Sequence, residues 1–133
     1  MEYLIYISTA KHLLSDDELV EIYTVSREKN QLRNITGVLL YAQGTFIQLI
    51  EGPEEAVAVV FTAISKDDRH KNIIKLAHEP SEERAFPDWT MGFKTLNPDE
   101  MKELEGYFDP SDRKFDGHDH PGIAIIKTFV DSH

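Results

Sequence analysis

The chain has 133 residues, 41% of them hydrophobic, which is enough for one domain with one core. Its formal net charge is −10 and its pI about 4.9. Since nucleic-acid binding depends on clusters of lysine and arginine, this charge argues against direct contact with DNA or RNA. The absence of cysteine excludes disulfides and cysteine-bound metals, and we expect a cytoplasmic protein.

The N-terminus indicates a first strand rather than a targeting segment. The residues MEYLIYIS lack the basic region of a signal peptide, and Tyr3 to Ser8 alternates as a strand does. No apolar run reaches the roughly 20 residues of a membrane span, so we expect no membrane partner. A helix follows, in which Ser15 and Glu18 form a capping box and Asn30 closes the helix or begins the loop. The inward stripe of this helix comprises Leu19, Ile22, Tyr23 and Ser26.

A β-hairpin is predicted next, with strands at residues 35–41 and 45–50 and Gly44 in the turn. Alternation places Gln48 on the same face as Phe46 and Ile50. A buried primary amide without a partner costs about 1–3 kcal/mol, so Gln48 requires one. This partner is either a neighbouring group of the protein or a polar ligand, and the sequence does not decide between the two.

The second half of the chain begins with a helix after Pro53, which we expect to end near residues 67–70. Strands are predicted at residues 72–78 and 89–94. A third helix should run from Asn97 to about Phe108, and a final helix over residues 122–130. The inward stripe of the second helix comprises Val57, Val60, Phe61 and Ile64.

The order of elements is β-α-β-β-α-β, followed by a fifth strand and C-terminal helices. This order predicts an α+β protein of the ferredoxin-like type, with a mixed five-stranded sheet and two helices on one face. The C-terminal helices would cover the other face, which otherwise exposes Ile47 and Leu49. We expect a main domain at residues 1–96 and a helical extension at residues 97–133.

In this fold a groove opens between the two long helices. Apolar walls with few polar groups are typical of a small-molecule site. Two primary amides suit a heterocycle with both donor and acceptor edges. The alternative is a simple core pair of Tyr6 and Gln48. The groove would contain Tyr6, Ile22, Asn30, Gln48, Ile64, Arg69 and His70.

Other candidate sites are weaker. His118, Asp119 and His120 lie in an acidic loop without further ligands nearby, whereas metal sites need three or four fixed ligands. Asp67 and Asp68 are interpreted as solvated charge at a helix end. No spacing indicates a catalytic nucleophile or a phosphate-binding loop. We therefore expect neither a metal site nor enzymatic activity.

The chain contains five motifs in the order LIYIS, SREKNQLRNITGVLLY, GTFIQLIEGP, DDRH and FPDWTMGF. With these motifs, residues 2–95 resemble the BLUF domain, a flavin-binding blue-light sensor module. The resemblance implies FAD bound noncovalently between the two helices, with FMN or riboflavin as alternatives. It assigns the photoactive tyrosine to Tyr6, the essential glutamine to Gln48 and the flavin-binding asparagine to Asn30. The other flavin-binding and photoactive positions fall on Ile22, Ser26, Ile64, Arg69, His70, Trp89 and Met91.

Two residues depart from the family pattern. Lys29 stands where many members have Asn or His, and Ala63 where some have an Arg that pairs with the carboxylate at Asp67.

The resemblance also implies a mechanism. Light drives electron transfer from Tyr6 to the flavin, its proton moves by way of Gln48, and the Gln48 amide is left rotated or tautomerised. The signal would then pass through Met91 and Trp89 to the C-terminal helices.

The residues after position 95 are too few for a cyclase or a phosphodiesterase, so we expect a stand-alone photoreceptor. Its output would pass to a partner protein or through a homo-oligomer. One alternative is a ferredoxin-like hydrolase of the acylphosphatase type, which needs Arg and Asn in the loop after the first strand. That loop is TAKH at residues 9–12 and does not fit. The other alternative is an interaction module without a ligand.

Overall fold

The computed structural model describes residues 1–93, 107–108 and 120–132. The described chain is an α+β protein, as predicted, in which helices pack on both faces of one mixed sheet. Its elements are β1 (Glu2–Ala10), α1 (Asp16–Leu32), β2 (Thr36–Ala42), β3 (Thr45–Gly52), α2 (Glu54–Ser65), β4 (His70–Pro80), β5 (Thr90–Phe93), β6 (Tyr107–Phe108) and α3 (Pro121–Ser132).

Among the described residues the sheet has the strand order β4-β1-β3-β2-β5-β6, so it has six strands and not the predicted five, because residues 107–108 pair with β5. Strands β1 to β4 pair antiparallel, and β5 pairs parallel with β2. The β2–β3 turn contains Gln43 and Gly44, whose φ angles are 53° and 82°. Two consecutive positive φ angles match the twist of the flanking strands, which confirms the hairpin and its glycine. This turn fixes the register of β3, and with it the position of Gln48.

Helix α1 begins with the predicted capping box. The Ser15 hydroxyl accepts a hydrogen bond from the Glu18 amide, and the Glu18 carboxylate accepts one from the Ser15 amide. The helix continues to Leu32, so Asn30 lies inside its last turn and does not close it. The carbonyl of Asn30 accepts from the amides of Arg33 and Ile35, at 3.1 and 2.9 Å. These bonds hold the end of α1 against the start of the hairpin.

Two apolar clusters lie on opposite faces of the sheet. The cluster on the helix side contains Tyr6, Phe46 and Trp89, together with residues of α1 and α2. The cluster on the opposite face contains Ile47 and Leu49 together with residues of α3. The expectation that a C-terminal helix covers this face is therefore confirmed for α3. The α3 residues in this cluster are Ile123, Ile126 and Phe129.

Two boundary predictions are wrong. Helix α2 ends at Ser65, so Arg69 lies in the connection to β4 and His70 is the first residue of that strand. The Arg69 amide donates to the Asp67 carboxylate at 2.9 Å, which folds this connection into a turn. The helix predicted from Asn97 to Phe108 lies outside the described residues except at its end. There, residues 107–108 pair with β5 as a strand, consistent with the strand propensity of aromatic side chains.

Candidate functional site

Two adjoining cavities lie between α1 and α2, above the central strands. They contain about 390 and 600 Å³ of empty space, which includes the part that is open to solvent. All of the predicted cofactor-binding side chains except Asn30 line the first cavity. Asn30 lines the second, which shares Ser26, Gln48, Ile64 and Arg69 with the first. The structure therefore brings the predicted cofactor-binding residues together along one groove.

Tyr6 and Gln48 form the floor of the groove. They face each other across β1 and β3, and their exposed fractions are 3% and 4%. The Tyr6 hydroxyl donates a hydrogen bond to Gln48 Oε1. Burial, together with the negative charge of Asp67, raises the pKa of Tyr6, so the phenol remains protonated and acts as a donor. Among the described residues the Gln48 side chain thus has one hydrogen-bond partner, and its Nε2 is the end of the amide that can donate to a ligand.

Asn30 contributes a second amide to the same groove. Its side chain is 3% exposed and lines the second cavity. The Nδ2 atom is buried and has no hydrogen-bond partner within the described residues. A buried donor without an acceptor costs about 1–3 kcal/mol, which an acceptor on a bound molecule would recover. This atom therefore indicates a ligand with an acceptor at that position.

A charged pair borders both cavities. Arg69 binds the Asp67 carboxylate in a bidentate manner, with Nε 3.0 Å from Oδ1 and Nη2 2.7 Å from Oδ2. Partial burial raises the pKa of Asp67, but hydrogen bonds from Arg69 outweigh it and hold this pKa below the usual value. The interpretation of Asp67 as solvated helix-end charge is therefore wrong. Its spacing of two residues from Arg69, typical of an Asx turn, was the signal for this pair.

His70 is held in one orientation at the edge of the groove. Its Nε2 lies 2.9 Å from the Ile64 carbonyl, which can only accept, so Nε2 carries the proton. Its Nδ1 is hydrogen bonded to the Ser8 hydroxyl at 2.7 Å. This pair of bonds holds the ring in place and links the end of α2 to β1 and β4.

Trp89 precedes β5 and belongs to the apolar cluster on the helix side, which also contains Tyr6. Its Nε1 is buried and has no partner within the described part of the chain. The backbone of Met91 pairs with Leu39 in the β2–β5 ladder, but its side chain lies outside the described residues. The structure thus puts the tryptophan on the same side of the sheet as Tyr6.

The groove also has residues that the sequence did not assign to a site. Leu39 and Phe46 line the first cavity, and Lys29, Arg33 and Ala63 line the second. Phe46 could have been found, because it alternates with Gln48 on one face of β3. Both departures from the family pattern, Lys29 and Ala63, therefore lie at the second cavity, the one that contains Asn30.

The candidate metal motif receives no support from the described residues. Its first two members, His118 and Asp119, lie outside them. The His120 Nδ1 accepts from the Gly122 amide at 3.0 Å, and its Nε2 lies 3.2 Å from the Ser81 hydroxyl. No group of three or more metal-binding side chains is found in the part of the chain that the structure describes.

Every helix among the described residues is too short or too polar to cross a membrane.

Comparison with known proteins gives a consistent result. The family model for BLUF, described as sensors of blue-light using FAD, matches residues 1–92. The blue light- and temperature-regulated antirepressor BluF of Escherichia coli is 33% identical over 88% of this chain and 30% of its own length. A photoactivated adenylate cyclase subunit alpha of Euglena gracilis is 40% identical over 62% of this chain and 8% of its own length. This chain thus spans less than a third of these curated relatives.

Solved structures of similar length also match. The dark state of BlrB, a BLUF protein, is 33% identical and has a TM-score of 0.68, covering 99% of this chain and 96% of its own. The ground state of BlsA is 30% identical and has a TM-score of 0.64, covering 86% of this chain and 83% of its own.

Proposed function

We propose a function from the premise that this chain belongs to the BLUF family, the sensors of blue light using FAD. In this proposal the chain is a blue-light photoreceptor that holds FAD noncovalently in the groove between α1 and α2. The observation that carries it is the buried Asn30 Nδ2, which has no partner within the described residues, in the groove that also contains the hydrogen-bonded Tyr6 and Gln48. We further interpret β1 to β4 as the ferredoxin-like arrangement, to which β5 and β6 are added at one edge of the sheet.

The residues of the groove fit a flavin. The two adjoining cavities combine apolar walls with a few polar side chains, which is the character typical of small-molecule sites. A flavin ring is flat and has an edge that alternates acceptors and a donor, which suits the amides of Asn30 and Gln48. Ile22 and Ile64 would provide apolar walls. The residues proposed to hold the flavin are Tyr6, Ile22, Ser26, Asn30, Gln48, Ile64, Arg69 and His70.

When bound, the flavin supplies blue-light absorption and, once excited, an acceptor for one electron from Tyr6. As Tyr6 loses the electron, its phenolic proton moves toward Gln48 Oε1, the atom to which it is hydrogen bonded. Return of the electron and the proton restores Tyr6, so nothing is consumed and we propose no enzymatic activity. The Gln48 amide is left rotated or tautomerised, which changes the hydrogen bonds it offers to the ligand. The rearranged bonds would shift the absorption to the red.

We propose that the signal then crosses the sheet to the C-terminal helix. Gln48 lies on β3 between Ile47 and Leu49, whose side chains pack in the same cluster as residues of α3. A change in the backbone of β3 therefore reaches α3 directly, and a parallel route runs through Trp89 and Met91 at β5. Amide hydrogen exchange of α3, compared in the dark and under blue light, tests this step. Equal protection in the two states would rule it out.

The receiver of the signal is proposed to be a partner protein or a second copy of the chain. The Escherichia coli relative is named an antirepressor and the Euglena relatives are named photoactivated cyclases, so output differs among similar proteins. A hydrolase of the acylphosphatase type and a ligand-free module are not favoured, because neither accounts for the family match or the unsatisfied amide.

Absorption spectroscopy tests the proposed function. The purified protein should be yellow, and blue light should shift its flavin bands reversibly to the red. Tyr6→Phe and Gln48→Leu should each retain flavin and lose the shift. Tyr41→Phe is the matched control, because Tyr41 is a buried phenol of the same cluster that accepts from the Leu14 amide instead. A colourless protein, or a normal shift in Tyr6→Phe, would contradict the proposal.

A further inference from the structure

Glu51 is a buried carboxylate that the proposed photochemistry does not use. It lies near the end of β3 and its exposed fraction is 0%. Its two oxygens accept from consecutive backbone amides of the β4–β5 connection, Ala85 at 2.8 Å and Phe86 at 2.6 Å. Two short bonds to one carboxylate hold this connection at a fixed place beside the sheet.

The side chain of Arg84, in the same connection, donates hydrogen bonds to the hairpin and to a residue just before it. Its Nη1 donates to the Thr36 hydroxyl at 2.6 Å and to the Glu51 carbonyl at 3.1 Å. Its Nη2 donates to the Asn34 carbonyl at 2.9 Å. We call Glu51 together with residues 84–86 the Glu51 clamp. The clamp joins the β4–β5 connection to both strands of the hairpin.

The clamp connects the strand of Gln48 to the proposed output elements. Glu51 is three residues after Gln48 on β3 and therefore points to the opposite face. Phe86 belongs to the cluster that contains α3, whereas Trp89, three residues later, belongs to the cluster with Tyr6. Strand β5 begins immediately after Trp89. The clamp thus links β3 to a segment whose residues lie on both faces of the sheet.

Fold stability alone does not explain a carboxylate at this position. Burial raises the pKa of Glu51, and hydrogen bonds from Phe86 and Ala85 only partly oppose this, so ionisation is less favourable at this position than in water. A buried charge seldom adds net stability compared with a neutral group of the same shape. What the carboxylate adds is a pair of acceptors that fix the position of two adjacent amides.

We propose that Glu51 is a positioning residue for the light response. By holding the amides of Ala85 and Phe86, it fixes Trp89 and β5 relative to the strand of Gln48, and thereby sets the lifetime of the illuminated state. The inference rests on the proposed photoreceptor function.

The test uses Glu51→Gln, which preserves shape but turns one of the two acceptor atoms into a donor. The chain has a single tryptophan, so its fluorescence reports on Trp89 alone. We expect the variant to retain flavin and its red shift, to shift the Trp89 emission maximum in the dark, and to speed dark recovery about threefold or more. Glu54→Gln, which neutralises an exposed carboxylate in the first turn of α2, is the matched control and should match the wild type.

Two further variants keep the test decisive. Glu51→Asp retains two acceptors on a shorter arm, and we expect recovery between those of the wild type and Glu51→Gln. If Glu51→Gln does not fold, Arg84→Lys loosens the same connection by removing the fork that binds Asn34 and Thr36, and it should speed recovery likewise. If a variant retains flavin and has the dark-recovery rate and the Trp89 emission maximum of the wild type, the proposed role of the Glu51 clamp is wrong. A colourless wild type would instead overturn the proposed function.

Discussion

The hydroxyl of Tyr6 donates a hydrogen bond to Oε1 of Gln48, and the two residues are partners in the β1–β3 ladder. Because they face each other directly, their side chains meet without any contribution from a loop. The bond also orients the Gln48 amide, so that its Oε1 accepts from Tyr6 and its Nε2 can donate to a ligand in the groove. One pair of neighbouring strands therefore determines both the polar centre of the cavity and the direction in which its amide donates.

This pair predicts a non-additive effect on stability in the flavin-free protein. Tyr6→Phe leaves Gln48 Oε1 buried without a donor, and Gln48→Leu leaves the hydroxyl without an acceptor. Each should lower the free energy of unfolding by about 1–3 kcal/mol. The double variant removes both polar groups and should cost less than the sum by about 1 kcal/mol or more. Urea denaturation of the wild type, the two single variants and the double variant measures these free energies. Tyr41 and Gln48 share no hydrogen bond, so the free-energy changes of Tyr41→Phe and Gln48→Leu should be additive. Strict additivity for Tyr6 and Gln48 would show that the bond contributes nothing.

Asn30 should affect ligand affinity more than fold stability. Its Nδ2 has no partner within the described residues, so Asn30→Ala removes an unsatisfied donor together with some packing. The unfolding free energy of the flavin-free protein should change by less than about 1 kcal/mol. Flavin affinity, measured by fluorescence quenching, should fall about tenfold, the equivalent of roughly 1.4 kcal/mol. Gln31→Ala, an exposed neighbour in the same turn, is the control and should leave both values unchanged. A large loss of stability with unchanged affinity would make Asn30 a core residue only.

Local patterns were sufficient to predict the parts of the site that lie on regular elements. The alternation of β1 and β3 put Tyr6 and Gln48 on one face because the side-chain period of a strand is two. The capping box at Ser15 fixed the start of α1, and through it the phase of Ile22 and Ser26. These inferences require only residues close together in the sequence.

The groove residues outside the regular elements could not be predicted in the same way. The end of α2 depends on hydrogen bonds between Asp67 and Arg69 that compete with helix continuation, so the position of His70 at the start of β4 was missed. Glu51 lies one residue beyond the strand predicted at residues 45–50, although it belongs to β3 in the structure. Its partners at residues 85–86 follow more than thirty positions later, and no local pattern links them. Contacts of this kind are established only by the tertiary fold.

The lowered pKa of Asp67 predicts a pH dependence of stability. Hydrogen bonds from Arg69 depress this pKa in the folded protein, so on acidification the unfolded chain takes up the proton first. The stabilisation is complete above the ordinary aspartate pKa of about 4 and is lost as pH falls through the folded value. Since the pair is partly exposed, the difference between wild type and Asp67→Asn should be about 0.5–1 kcal/mol at neutral pH.

Urea denaturation at a series of pH values measures this difference, which should shrink toward zero below about pH 4. Asp68→Asn makes the same change of charge at the exposed neighbouring residue, which lacks the bidentate bond to Arg69, and should have a smaller effect at neutral pH. A difference between wild type and Asp67→Asn that is independent of pH would show that the effect comes from the asparagine itself and not from the carboxylate.

The packing of α3 against the sheet makes the C-terminal helix part of the core. Ile126 is 0% exposed and belongs to the cluster with Ile47 and Leu49, the two neighbours of Gln48 on β3. Ile126→Ala should lower the free energy of unfolding by about 2–5 kcal/mol, because it removes buried methyl groups and leaves a cavity. Thr128→Ala, on the exposed side of the same helix, loses one bond to the Ala124 carbonyl and should cost far less. If both variants unfold at the wild-type urea midpoint, α3 is not docked on the sheet in solution, and it cannot receive a signal from β3.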